Sequence, residues 1–215
     1  SAVLERPEIA GVYFDSTLVW GNSVEQKLDQ IVEGIHKKKK EAYLMLPYIL
    51  RKEKTDQIRK LIEYSAERLE GFLIRNVEEL GLLEKLGLLN QAVCDFSLYT
   101  MNDESKCFFD KKGVKRTTIP LELNESEIKK RENSDSEMII YGYYPMMISA
   151  QCLKKTCERC EKKADIVTLT DRYKSRFRTK TVCDFCYNVI YNSIPTGFLQ
   201  EEEKIKKLGI KNLRI

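Results

Sequence analysis

The stretch "AGVYFD" at residues 10–15, followed by "SVEQKLDQIVEGIHKK" at residues 23–38, decides the fold. The first run is apolar on both faces, which predicts a buried β-strand. In the second run, apolar residues recur at helical spacing, and Ser23 and Gln26 are spaced as in a capping box. Together the two runs predict one strand–helix unit.

The same unit recurs along the first 150 residues. Asn76, Asn102 and Asn124 are each placed to open a helix between strands. Two-sided apolar strands at regular intervals are typical of parallel strands covered by crossover helices. The predicted fold class is therefore α/β, a partial or incomplete TIM-like (β/α) barrel, with an open doubly wound sheet as the alternative. The parallel strands are predicted at about residues 11–15, 42–46, 71–75, 92–96, 116–120 and 138–142.

After residue 150 the pattern changes. Residues 164–182 predict an antiparallel β-hairpin with a turn near Asp171–Ser175, and a helix at 198–208 leads to a final strand, "IKNLRI". The predicted organisation is a barrel-type segment (1–150), a cysteine-rich metal-binding hairpin insert (151–193), and a returning helix and final barrel strand (194–215). Seven barrel-type strands are one fewer than a closed barrel needs, so we expect the remainder of a longer polypeptide as a partner.

Five of the seven cysteines lie in one window beside the predicted hairpin. They include two Cys-x-x-Cys pairs, an arrangement that holds zinc in ribbon-type sites, although iron–sulfur clusters also use four cysteines. The predicted cofactor is zinc or a 4Fe-4S cluster, with Cys152 or Cys183 as the ligand most readily left out. Cys94 and Cys107 are predicted to be core residues. The candidate metal ligands are Cys152, Cys157, Cys160, Cys183 and Cys186.

The cysteine window is also basic, because residues 151–190 contain ten Lys and Arg against five acidic residues. Lysine and arginine supply most phosphate contacts to nucleic acids, and nearby tyrosines and phenylalanines can stack on bases. RNA is therefore an expected partner, against the alternative of an ordinary solvated face. The candidate nucleic-acid-binding residues are Lys154, Lys155, Arg159, Arg172, Arg176 and Arg178.

Other function classes are excluded by composition. The chain has one histidine, His36, which leaves no histidine-based triad or HExxH zinc site. No apolar run is long enough for a membrane span and no signal peptide is evident, so we expect a cytoplasmic protein that does not bind membranes.

The catalytic residues are unknown. Arg75, as an anion binder, and Glu122 are the candidates because they follow predicted barrel strands, with a helix-capping role as the equal alternative for Glu122.

Three motifs carry a family resemblance: "YGYYPMMISAQC" (141–152), "LTDRYKSRFRTKT" (169–181) and "CDFCYNVIYNS" (183–193). Together with "LMLPYILR", "EGFLIRN" and "VKRTTIPLELNESEI", they resemble the collagenase-like peptidase family U32, in particular the carboxy-terminal, second barrel-like part of long bacterial members. By motif, Cys152 and Cys186 match the family's first and last cysteines. Cys157 and Cys160 take the middle positions, and Cys183 is additional.

The resemblance implies two kinds of activity. The family name implies a peptidase, whereas several members are linked to hydroxylation of RNA bases or of a quinone precursor and hold an iron–sulfur cluster on four cysteines. A site closed by four thiolates leaves no coordination position for the water that metal-assisted hydrolysis needs. We therefore expect a contribution to RNA-base hydroxylation or RNA binding. The alternatives are a peptidase acting on proteins and a non-catalytic structural half of a larger enzyme.

Overall fold

The computed structural model describes residues 2–158 and 160–215. They form two compact units, divided between Asp135 and Ser136, which are described separately below. Within these described ranges, none of the helices combines the length and the apolar character that crossing a membrane requires.

The first unit is built on five parallel strands in chain order, β1-β2-β3-β4-β5. The order never reverses, as it would in a doubly wound sheet. The predicted α/β class and partial TIM-like barrel are confirmed. The strands are β1 (Gly11–Asp15), β2 (Glu41–Met45), β3 (Gly71–Ile74), β4 (Ala92–Cys94) and β5 (Arg116–Thr118), and the helices are α1 (Val24–His36), α2 (Thr55–Ser65), α3 (Val77–Lys85), α4 (Asp103–Lys111) and α5 (Glu125–Ile128).

Both faces of this sheet are apolar, which explains the uninterrupted hydrophobic runs in the sequence. On one face, Tyr43, Leu73 and Val93 form a buried cluster, against which Tyr13 and Met45 pack. Strand side chains alternate, so the neighbouring residues face the other way and are also buried. These include Leu44, Phe72 and Ile74, and the helices contribute Leu28, Ile58 and Leu83.

The helix starts follow the predicted caps with one exception. Asn76, Asn102 and Asn124 each accept a backbone hydrogen bond in the first turn of α3, α4 and α5. The capping box predicted at Ser23 is wrong. Ser23 has a left-handed backbone (φ 59°) and its side chain makes no capping hydrogen bond. A capping residue normally has an extended backbone, which aims its side-chain oxygen at the first-turn amides.

The second unit contains a parallel pair, β6 (Ser136–Ile139) and β13 (Asn212–Arg214), with α7 (Glu202–Lys207) before β13. The sixth predicted strand, at about 138–142, is divided. Its second half is β7 (Tyr141–Gly142), which pairs antiparallel with β12 (Thr196–Gly197). The parallel ladder ends at Ile139, and Gly142 in the antiparallel pair has φ +146°, a conformation that L-residues rarely adopt.

The predicted hairpin is present and belongs to a larger antiparallel sheet of order β8-β11-β10-β9. Its strands are β8 (Pro145–Ser149), β9 (Asp165–Thr170), β10 (Arg176–Val182) and β11 (Tyr187–Tyr191), and the short helix α6 (Leu153–Thr156) follows β8. In the turn between β9 and β10, the Asp171 carboxylate accepts hydrogen bonds from the backbone amides of Tyr173 and Ser175. β9 and β10 are the predicted hairpin strands, whereas β8 and β11 were not predicted.

Candidate functional site

Four of the five clustered cysteines flank α6 or lie in the turn between β10 and β11, and Cys160 lies between α6 and β9. Cys152 is the residue before α6 and is buried, whereas Cys157 ends that helix and is exposed, as is Cys160. Cys183 and Cys186 occupy the first and last positions of the turn. Cys186 has a left-handed backbone (φ 55°), which turns the chain into β11. Both predicted Cys-x-x-Cys pairs therefore lie on short connections, as metal-binding pairs do.

Cys152 and Cys160 both lie within electrostatic range of Cys183. Burial raises the pKa of Cys183, and the charges of Cys152 and Cys160 raise it further, while a hydrogen bond with Thr181 and the charge of Lys154 oppose the increase. The fold thus brings together cysteines that are far apart in the sequence. A bound cation would reverse this effect, because it stabilises neighbouring thiolates.

The donor set fits zinc or an iron–sulfur cluster in its chemistry, since both bind cysteine thiolates. Within residues 2–158 and 160–215, however, no three Cys, His, Asp or Glu side chains are arranged to hold an ion. The five-cysteine ligand set and its cofactor stay predictions. Metal binding in small metal-stabilised modules is commonly coupled to folding.

Asn188 fixes the buried end of the cysteine cluster. Its side-chain Nδ2 donates to the backbone carbonyl of Gln151 (2.8 Å), which ties β11 to the residue before Cys152. The Cys152 carbonyl in turn accepts from the Thr156 hydroxyl at 3.0 Å. Asn188 is fully buried, and its Oδ1 has no hydrogen-bond partner among the described atoms. Asn188 was not among the residues predicted from the sequence, although its position two residues after Cys186 was a usable signal.

The candidate nucleic-acid residues are distributed over three elements. Arg176 and Arg178 occupy alternate positions of β10, so their side chains project from the same face of the strand. Lys180 projects from this face as well and was not among the predicted residues. The Arg178 guanidinium lies 5.4 Å from the Tyr143 ring centroid. In the β9–β10 turn, the Arg172 guanidinium lies 4.7 Å from the ring of Tyr173. The structure therefore joins cations and aromatic rings on this sheet.

Two of the other candidates, Lys154 and Lys155, lie on α6. Lys154 forms an ion pair with Asp165 (3.2 Å). Lys155 is exposed on α6. Arg159 lies outside the described residues. The nucleic-acid role of these residues stays a prediction.

In the first unit, Arg75 follows β3 and is buried in an ion pair. Its Nε donates to Asp95 Oδ2 (3.2 Å), and the two side chains are 8% and 2% exposed. The guanidinium also donates to the Leu46 carbonyl (3.3 Å) and lies 4.0 Å from the Tyr48 ring centroid. The carboxyl ends of β2, β3 and β4 thus converge on one cation, where barrel proteins place functional groups. Anion binding by Arg75 stays a prediction.

Glu79 supports this arrangement from the first turn of α3. Its Oε2 accepts the Arg75 backbone N–H at 2.8 Å, and its buried Oε1 has no hydrogen-bond partner in the described structure. Burial raises the pKa of Glu79 to about 8, and Arg75 opposes the increase. The buried Oε1 without a partner fits a carboxyl group that holds its proton more strongly than an exposed glutamate does. The other catalytic candidate, Glu122, is exposed in the turn after β5, and its role stays a prediction.

Comparisons with known proteins identify the family. Among solved structures, the U32 peptidase Mk0906 is similar over 65% of this chain and 64% of that chain, less than two thirds of its length, with 13% identity and a TM-score of 0.49. A Bacillus subtilis protein described as a sporulation-specific glycosylase, YdhD, matches with 9% identity over 91% of this chain and 72% of that chain (TM-score 0.27). A search of curated proteins gave no match. The sequence profile of peptidase family U32 matches residues 10–207, most of the chain, and the chain therefore belongs to peptidase family U32.

Proposed function

We propose that the second unit is a metal-stabilised, RNA-binding module, through which the protein contributes to RNA-base hydroxylation. The observation that carries the proposal is the basic face of β10, defined by Arg176, Arg178 and Lys180. These residues alternate along one strand and therefore share one face of the sheet. Phosphate contacts of this kind dominate the affinity of proteins for nucleic acids.

The spacing of the basic face suits an extended single strand. Residues two apart along a β-strand are separated by about 6.8 Å, so successive cations can follow successive phosphates of an RNA chain. Tyr143 lies beside Arg178 and offers a ring on which a base can stack. Stacking and phosphate contacts together favour RNA with unpaired bases over a duplex.

The cysteines beside this face would hold the metal. Cys152, Cys157, Cys160, Cys183 and Cys186 are the residues available, and Asn188 holds the segment before Cys152 in place. A 4Fe-4S cluster would supply electron transfer, whereas zinc would only stabilise the fold. Nearby lysines such as Lys154 lower the cost of gathering thiolates.

Salt-dependent RNA binding tests the proposal. The chain is titrated with a labelled single-stranded RNA at several salt concentrations, and fluorescence anisotropy gives the affinity. For single strands, each lost phosphate contact reduces the slope of log affinity against log salt by about 0.7, so R176A/R178A should reduce it by about 1.4. The control K60A/K130A removes two exposed cations from the first unit and should leave the slope unchanged. Equal slopes for the two variants would contradict RNA binding at β10.

A peptidase acting on proteins is the alternative that the family name supports. A cysteine nucleophile needs a lowered thiol pKa, yet burial raises the pKa of both Cys94 and Cys183. The single histidine, His36, hydrogen-bonds Glu70 (3.2 Å) in the first unit. Hydrolysis of denatured collagen by the full-length protein would favour this alternative. If the protein contributes neither to RNA-base hydroxylation nor to peptide hydrolysis, the second alternative, a non-catalytic structural half of a larger enzyme, would be favoured.

A further inference from the structure

Strand β9 forms an open edge of the antiparallel sheet. It pairs with β10 on one side, and no strand of the described chain pairs with its other side. The Asp171 amide donates to the Ser175 carbonyl (3.1 Å), and antiparallel ladders alternate with a period of two. Residues 167 and 169 therefore direct their backbone groups toward β10, whereas residues 166, 168 and 170 direct theirs outward. The Ile166 amide agrees with this, because it donates to the Asp165 side chain (2.7 Å).

The composition of this edge is unusual for an exposed strand. Residues 166–170, "IVTLT", contain no charge, proline or glycine, and Ile166 is 66% exposed. Native proteins normally protect such edges with lysine, proline or bulges. The one charged residue of the strand, Asp165, lies at its amino-terminal end and is paired with Lys154 (3.2 Å). The outward amides of Thr168 and Thr170 are thus presented on an unprotected edge.

The neighbouring strand supplies positive charge beside that edge. Arg178 lies opposite Thr168, and Arg176 lies opposite Thr170, so each arginine shares a face with a small threonine side chain. Adjacent strands are about 4.8 Å apart, so a strand added to β9 would lie about 10 Å from β10. An extended arginine reaching over a threonine and a glutamate reaching back from the added strand can together span that distance.

We propose that the outer edge of β9 binds an extended peptide segment with acidic side chains at alternate positions, which adds a fifth strand to the sheet. Backbone hydrogen bonds to Thr168 and Thr170 would provide affinity, and Arg176 and Arg178 would select the acidic side chains. This site goes beyond the proposed function, because the backbone hydrogen bonds to the peptide do not depend on RNA binding. A second copy of the chain is a poorer occupant, because pairing two β9 edges would bring two basic faces together.

Peptide titrations test the proposal with two matched pairs. Anisotropy is measured with a labelled peptide of alternating threonine and glutamate and with its threonine–lysine counterpart. T168P removes the outward N–H while proline remains acceptable on an edge, and T168V keeps that N–H without the hydroxyl. The glutamate peptide should bind at least 10-fold more tightly than the lysine peptide. T168P should weaken binding of the glutamate peptide at least 10-fold, and T168V should weaken it less than threefold.

Further controls keep the proposal falsifiable if T168P does not fold. A glutamate peptide N-methylated at the residues that face β9 has the same charges but lacks the backbone donors, and it should bind the unchanged protein at least 10-fold more weakly. Equal affinity for the glutamate and lysine peptides, or no effect of N-methylation, would overturn the proposal. Concentration-dependent dimers that T168P abolishes would assign the edge to a second copy instead and would also overturn it.

Discussion

The buried ion pair between Arg75 and Asp95 gives the sharpest stability prediction. At an effective dielectric constant of about 20, opposite charges 3.2 Å apart attract by about 5 kcal/mol. Removing one member of a buried pair costs about 3–5 kcal/mol, because the other charge stays buried without compensation. D95N keeps the side-chain shape and the oxygen that accepts the Phe96 amide. We therefore expect a loss of about 3 kcal/mol, the lower end of that range.

Urea denaturation of the purified chain measures this free energy of unfolding. D56N is the matched control, since Asp56 pairs with Arg59 at 2.7 Å on the surface, and exposed pairs contribute about 0.2–1 kcal/mol. In R75M/D95N both charges are absent, so the double variant should be more stable than D95N. A D95N cost equal to that of D56N would refute the assignment of Arg75 as a buried charge held by Asp95.

Two further predictions concern buried polar groups. Burial raises the pKa of Glu79 from 4.5 to about 8, so between these pH values the folded state binds more protons than the unfolded state, and the free energy of unfolding should fall as pH rises. Unfolding of E79Q, measured over the same pH range, should lack this decline. An unchanged decline in E79Q would contradict the role of Glu79. N188A removes the hydrogen bond to Gln151, so the buried Cys152 should be alkylated faster, as followed by mass spectrometry. The exposed Cys157 serves as the internal control, and an unchanged alkylation rate of Cys152 would contradict the role of Asn188 in holding this segment.

The sequence predicted the first unit well because its strands are buried on both faces. Runs such as "GFLI" have no polar alternation and only fit a covered parallel sheet. β8 and β11 were not predicted, because "PMMIS" begins with a proline and "YNVIY" has an asparagine inside its apolar run, and both features weaken a strand pattern. Ser23 was misassigned because a capping pattern does not reveal a left-handed backbone.

The candidate site was only partly predictable. Spacing identified the two Cys-x-x-Cys pairs, but the proximity of Cys152 to Cys183 depends on how β8 and β11 pair. The role of Glu79 was also hidden, because it occupies an ordinary helix-capping position in the sequence. Its full burial arises from the tertiary packing around Arg75. Contacts of this kind join residues through the fold and leave no local pattern.

The metal content of the chain, purified without oxygen, is the most direct test of the proposed function. Elemental analysis and a visible spectrum are compared between the wild type and C157S/C160S, with C107S as a control outside the cysteine window. We expect one zinc ion per chain, or iron and sulfide with a brown absorbance, lost in C157S/C160S and retained in C107S. Absence of both metals from the wild type, with Cys157 and Cys160 freely alkylated in the native protein, would contradict a metal-stabilised module.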